Sequence, residues 1–144
     1  MAIRTARLED EVRIRELLDH LGYPNTENFL RDKMLDIFND SNSEVLVYED
    51  DNFVIGFIAI DFIIRLGLKE NIARINYLAV RPEYNNKGID KEMEDHCVAL
   101  AKKRGCFRIE HHCNQNRKDA QRFYYRQGYK ESPKYFVKML DNAE

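Results

Sequence analysis

The chain has 144 residues, 44% of them hydrophobic and 33% charged, with a formal net charge of −2. That suffices for one ordinary domain over residues 1–144, with a core that needs neither disulfides nor metal. No apolar run approaches the ~20 residues of a membrane span, no signal-peptide h-region opens the chain, and Cys97, Cys106 and Cys113 form no paired framework, so a reducing cytoplasm is the expected setting.

Residues 3–6 read as a short first strand. Ile14, Leu17, Leu18 and Leu21 then recur at helical spacing until Gly22 and Pro24. Thr26 opens a second helix, with Leu30, Met34, Ile37 and Phe38 as its stripe, and residues 39–43 are a turn cluster. Residues 44–49 and 53–64 are strands joined by an Asp50-Asp51-Asn52 hairpin turn. After a turn at Gly67, residues 71–80 form a further strand. Residues 88–104 are a helix with Ile89, Met93, Cys97, Leu100 and Ala101 on one face, closed by Gly105. Residues 107–112 are a strand, 117–127 a helix closed by Gly128, and 135–140 a last strand. The order predicts an α/β (α+β) domain: a mixed, mostly antiparallel central sheet with helices on both faces. There is no internal repeat, low-complexity segment or dividing linker.

Charge is unevenly spread. Residues 102–138 hold 11 Lys and Arg against three Asp and Glu, while the remainder holds 12 against 22. A basic zone for an anionic ligand would look like this, and so would two solvated faces. The acidic balance and the lack of a helix-turn-helix pattern argue against nucleic acid. Cys106, His111, His112 and Cys113 lack the Cys-x-x-Cys spacing of a zinc site, so no metal is expected.

The most informative stretch is Leu78-Ala79-Val80-Arg81-Pro82-Glu83-Tyr84-Asn85-Asn86-Lys87-Gly88-Ile89-Asp90-Lys91. An apolar strand meets a proline, a polar loop with one glycine, and then a helix. An open helix start after such a loop gathers unpaired amide N–H groups, a natural seat for a phosphate. Gly88 allows close backbone approach, and Lys87 and Lys91 add positive charge.

This stretch resembles the coenzyme-binding motif of the GNAT superfamily of N-acetyltransferases. So does Ala120-Gln121-Arg122-Phe123-Tyr124-Tyr125-Arg126-Gln127-Gly128-Tyr129, which follows the family's Ala-x-x-apolar-Tyr-x-x-x-Gly-aromatic pattern. The resemblance covers nearly the whole chain, element order included. It implies an acetyl-CoA-dependent N-acetyltransferase, with an amine of a small molecule or a peptide as acceptor and direct attack on the thioester. Acetyl-CoA would be held by Leu78, Ala79, Val80, Asn85, Asn86, Lys87, Gly88, Ile89, Asp90, Lys91, Arg117, Ala120 and Tyr124. The Leu78 N–H would polarise the thioester carbonyl, Val80 would pair with the pantetheine arm, and Tyr124 would protonate the departing thiolate. A homodimer is compatible with the resemblance.

Some positions depart from the pattern. Asn85 stands where the family has Arg or Gln, Asp90 where it has a small residue, and Arg117 where it often has Asn. The Glu that many members carry as a base on the fourth strand is absent, since Arg74, Asn76 and Tyr77 occupy that region. A water relay, His111, His112 and Glu110 are the alternatives for the base. The exposed-looking acids Asp19, Glu27, Asp32 and Asp36 near the Tyr23–Thr26 connection either attract a cationic amine or simply face solvent. These departures leave a second reading open: a GNAT module that binds coenzyme A or a protein partner without turnover.

Overall fold

The computed structural model describes residues 2–111, 118–132 and 135–140. The chain groups into two compact units, Met1–His112 and Cys113–Glu144. The first contains β1 (Ala2–Thr5), α1 (Glu11–Leu21), α2 (Leu30–Phe38), β2 (Ser43–Asp50), β3 (Phe53–Ile63), β4 (Asn71–Val80), α3 (Ile89–Lys103) and β5 (Cys106–His111). Within the second, the helix among the described residues is α4 (Lys118–Arg126).

The five strands form one sheet in the order β1-β2-β3-β4-β5. Every neighbouring pair is antiparallel except β4–β5, which is parallel. This is the mixed, mostly antiparallel sheet that the element order predicts. Asp51 and Asn52 both take positive φ (54° and 66°), the two-residue turn whose twist suits a tight hairpin. Val54 to Ile60 of β3 are all buried, as befits a central strand covered on both faces.

Each sheet face carries its own apolar layer. Ile14 and Leu17 of α1 and Met34 of α2 pack with Val45, Val47 and Phe57. On the other face Met93, Cys97 and Ala101 of α3 meet Ile55, Ile58 and Ile75. The four-residue spacing of the α3 stripe is what aims it at the sheet. Burial pushes the Cys97 thiol up to about 12, so this cysteine is packing material rather than a nucleophile.

Gly56 fixes how closely α3 meets the sheet. A Cβ there would come within 3.0 Å of the Ala79 carbonyl oxygen and 3.3 Å of the Met93 sulfur. Having no side chain, Gly56 lets the first turns of α3 lie against the end of β4.

Three sequence expectations change. The second helix begins at Leu30 rather than Thr26. The Thr26 carbonyl accepts the N–H groups of Phe29 and Leu30 in a preceding turn, and its buried hydroxyl caps nothing. Residues 135–140 take no strand conformation, because apolar alternation supplies a face but not the neighbouring strand that pairing requires. Other boundaries shift by a residue or two.

Candidate functional site

The site is built from one strand. β5 pairs with β4 only from Asn71 to Ile75. Residues 76–80 are therefore paired with β3 alone among the described residues.

A one-residue bulge separates these halves. Ala59 is opposite Tyr77 and Ile60 is opposite Ile75, which leaves Asn76 as the extra residue. An inserted residue reverses the alternation downstream. Ile75 and, beyond the bulge, Leu78 and Val80 thus all face the α3 layer, whereas Tyr77 and Ala79 face α1 and α2.

The same reversal sets the backbone directions. The Arg81 N–H donates to the Ile55 carbonyl of β3 at 2.8 Å. Main-chain groups alternate along a strand, so those of Ala79 also face β3. The N–H and C=O groups of Leu78 and Val80 face the open edge.

Beyond β4 the chain turns through a short 3-10 segment, Pro82–Tyr84. The Tyr84 N–H returns to Arg81 O and the Asn85 N–H to Pro82 O, at 2.9 and 3.1 Å. Asn86 and Gly88 then take left-handed conformations, with φ of 64° and 77°. Nothing lies within 4 Å of a Cβ built on Gly88, so the glycine is demanded by φ and not by space. Among the described residues, the amides of Asn86, Lys87 and Gly88 donate to no backbone carbonyl. Those of Ile89 and Asp90 open α3, where no earlier carbonyl is in position. Free N–H groups and the positive helix end together favour an anion.

The polar side chains around this seat are partly committed. The Asp90 carboxylate accepts the Lys91 N–H at 2.9 Å, taking one of the amides that a phosphate would use. The Lys91 ammonium pairs with Asp95 at 2.9 Å, and that hydrogen bond pushes its pKa up. The exposed Lys87 has its ammonium 5.4 Å from the centre of the Tyr84 ring. The Tyr84 hydroxyl donates to Asp50 at 3.2 Å.

Tyr124 lies on α4 in the second unit. It is buried, edge-on to the rings of Phe123 and Tyr129 with centroids 5.1 Å away in each case. Its carbonyl accepts the Tyr129 N–H at 3.0 Å, which closes the helix around Gly128. Ala120 sits one turn earlier on the same helix. His112, Cys113, Asn114, Asn116 and Arg117 lie outside the described residues.

Among the candidates for a base, Glu110 is held in ion pairs. Burial alone would push its carboxyl up, but hydrogen bonds from Arg74 and Arg108 outweigh that and hold it below the usual range. The two guanidinium groups lie 3.1 and 2.8 Å away. His111 shares the register of Ile75, and with it the α3 face. The Tyr77 phenol is pushed up by burial and by Tyr23, so it stays protonated. The Tyr23 ring meets Tyr77 edge-on at 5.3 Å, which sets the α1–α2 connection over the open half of β4. Asp19, Glu27, Asp32 and Asp36 are exposed.

Sequence reasoning missed Asp61. Its carboxylate accepts the Asn76 amide at 2.7 Å and the Ser43 hydroxyl at 2.8 Å, stitching β2, β3 and β4 together. A signal was available, because Asp61 is the only charged residue within the apolar β3 sequence. Among the described residues, no three His, Cys, Asp or Glu side chains gather as a metal ion would need, and no helix is long and apolar enough to cross a membrane.

The sequence model of the acetyltransferase (GNAT) family matches residues 11–129. No curated protein matches the sequence significantly. Among solved structures, a transcriptional regulator from Bacillus halodurans superimposes with a TM-score of 0.87 at 22% identity, covering 96% of this chain and 99% of its own. A GNAT family acetyltransferase from Staphylococcus aureus gives 0.81 at 22% identity, covering 96% and 98%. An aminoglycoside antibiotic 6′-N-acetyltransferase from Acinetobacter haemolyticus gives 0.82 at 17% identity, covering 98% and 100%.

Proposed function

Because the chain belongs to the acetyltransferase (GNAT) family, we propose that it is an acetyl-CoA-dependent N-acetyltransferase acting on a primary amine of a small molecule or a peptide. One observation carries this reading. The outward main-chain groups of Leu78 and Val80 run directly into a loop of unpartnered amides at the start of α3. A carrier with a diphosphate, an extended amide-bearing arm and a thioester matches that sequence of groups.

In this reading the amides from Asn86 to Lys91 hold the diphosphate, with Lys87 free to swing from Tyr84 toward it. The edge of Ala79 and Val80 pairs with the arm as an added strand would. The Leu78 N–H faces the thioester oxygen, where negative charge develops as the amine attacks. A C–N bond forms and the C–S bond breaks. The nitrogen gives its proton to solvent water, the thiolate takes one from Tyr124, a phenol protonated at neutral pH, and solvent returns a proton to the phenoxide. Arg117 and Ala120 would complete the coenzyme side. The lowered Glu110 carboxyl is a weaker base than an ordinary glutamate. A cytoplasmic setting belongs to the same proposal, and a homodimer is compatible with it.

The test is calorimetry with acetyl-CoA, followed by thiol release over a panel of amines. The panel includes an aminoglycoside and a peptide amino terminus. Binding with release supports the transferase, and Tyr124→Phe should then lower turnover about a hundredfold. Absence of binding would end the reading. A second reading, coenzyme binding without turnover, draws on one observation: the Asp90 carboxylate already occupies the Lys91 N–H. Binding with no release from any amine would favour it.

A further inference from the structure

The bulge at Asn76 decides which amides of β4 reach the open edge, so whatever holds the bulge controls the proposed chemistry. A bulge interrupts the ladder and leaves its extra residue unpaired. Ordinarily the buried pattern of a strand resists a one-residue slip. That resistance is weak in residues 76–80, a short segment bonded on one side alone among the described residues. A slip would exchange Leu78 and Val80 with Tyr77 and Ala79, and the outward amides would turn inward.

A polar stitch stands at that point. The Asn76 amide donates to Asp61 Oδ2 at 2.7 Å, a charge-assisted bond of the stronger kind. The other Asp61 oxygen accepts the Ser43 hydroxyl at 2.8 Å. Ser43 also lies 3.1 Å from the Asp40 carboxylate, but a hydroxyl has one hydrogen, and the shorter contact is to Asp61. Asp61 is thus anchored on the β2 side and grips the bulged residue on the β4 side.

We propose that Asp61 is a positioning residue: by gripping Asn76 it holds the bulge that turns the main-chain groups of Leu78 and Val80 toward the open edge. Its consequence for catalysis rests on the transferase reading, but its structural content does not. Asp61 touches no reacting atom in this scheme and acts through Asn76 and the strand.

The test uses amide hydrogen exchange of the full chain and, in parallel, thiol release from acetyl-CoA. In the wild type, the amides of Tyr77 and Ala79 should be protected and those of Leu78 and Val80 should exchange faster. Asp61→Ala should erase that alternation, speeding exchange at Ala79 about tenfold or more, while Ile72 and Ile75 stay protected. Turnover should fall about tenfold or more, because an amide moved by an ångström no longer serves the oxyanion. Asn76→Asp alone sets two carboxylates face to face and should do at least as much harm. The exchanged pair D61N/N76D rebuilds both bonds: the new amide on β3 donates to the new carboxylate and its oxygen still accepts Ser43. It should restore the alternation, and turnover to within about twofold of wild type.

Alternation that persists in Asp61→Ala overturns the proposal. So does an exchanged pair that behaves no better than Asn76→Asp, a comparison that stands even if Asp61→Ala does not fold. A wild type that releases no thiol from any amine removes the transferase reading instead, and leaves the exchange result to decide the role of Asp61.

Discussion

Residues 71–75 of β4 are hydrogen-bonded to β3 on one side and β5 on the other, whereas residues 76–80 are bonded to β3 alone among the described residues. The closed half holds Ile72, Ala73 and Ile75, each fully buried, with Arg74 tied across to Glu110. The open half holds half-exposed side chains around buried Ala79, and main-chain groups that no described strand pairs on one side. Stability is concentrated in the first half and available chemistry in the second. A strand that is paired on one side alone in one half gives up ladder bonds, and it gains amides in a fixed direction beside the proposed phosphate seat.

Substitutions on the two sides should therefore read out differently. The largest effect is expected from Ile75→Ala in the closed half: about 2–5 kcal/mol of stability lost by urea unfolding, with acetyl-CoA affinity of the folded protein nearly unchanged. An equal loss of affinity would show that the halves are not separable. Gly88→Ala comes next. It should cost about 1 kcal/mol of stability through its positive φ and weaken acetyl-CoA binding by several-fold in calorimetry. A silent substitution would mean that the loop conformation is not used. Asp90→Ala should act in the opposite direction, freeing the Lys91 N–H and removing a like charge, and tighten binding by roughly threefold to tenfold. Weaker binding would show that the carboxylate supports the seat.

The smallest effect belongs to the closed half again. The folded-state pKa of Glu110 is lowered. Its ionised form therefore contributes stability that is present above the ordinary glutamate pKa and lost as pH falls through the folded value. Glu110→Gln should flatten the acid limb of a stability–pH curve by less than about 1 kcal/mol. An unchanged limb would mean that the Arg74 pair contributes nothing.

Much of this comparison was legible beforehand. The strand, proline, glycine loop and helix from Leu78 to Lys91 announce themselves, because φ limits and apolar periodicity act locally. The α3 stripe and the Asp51-Asn52 turn fall where the residue types demand them. The bulge was not legible. No residue type marks it, and it emerges from how two strands align across a hairpin. The grip of Asp61 on Asn76 depends on that alignment, so a lone charge in β3 could be noticed but not interpreted. The Asp90 side chain had several outcomes open from sequence, and the choice of the Lys91 N–H is a matter of geometry. Residues 135–140 show the reverse case, where a pattern suited to pairing is not matched by a paired strand.

Gly56 has a consequence for what the protein can accept. With no side chain there, the Met93 sulfur on α3 lies 3.3 Å from where a Cβ would stand and the Ala79 oxygen 3.0 Å. The Met93 side chain and the Ala79 carbonyl fill the place that a Cβ would take, so a larger residue at position 56 would press on both α3 and the strand that carries Leu78. In the transferase reading, the distance from the Gly88 loop to the Leu78 amide would work as a ruler. A thioester on an arm cut short would anchor its phosphates and stop before the edge, and one on a lengthened arm would overshoot it, so carriers would be sorted by reach before any contact with the acyl group.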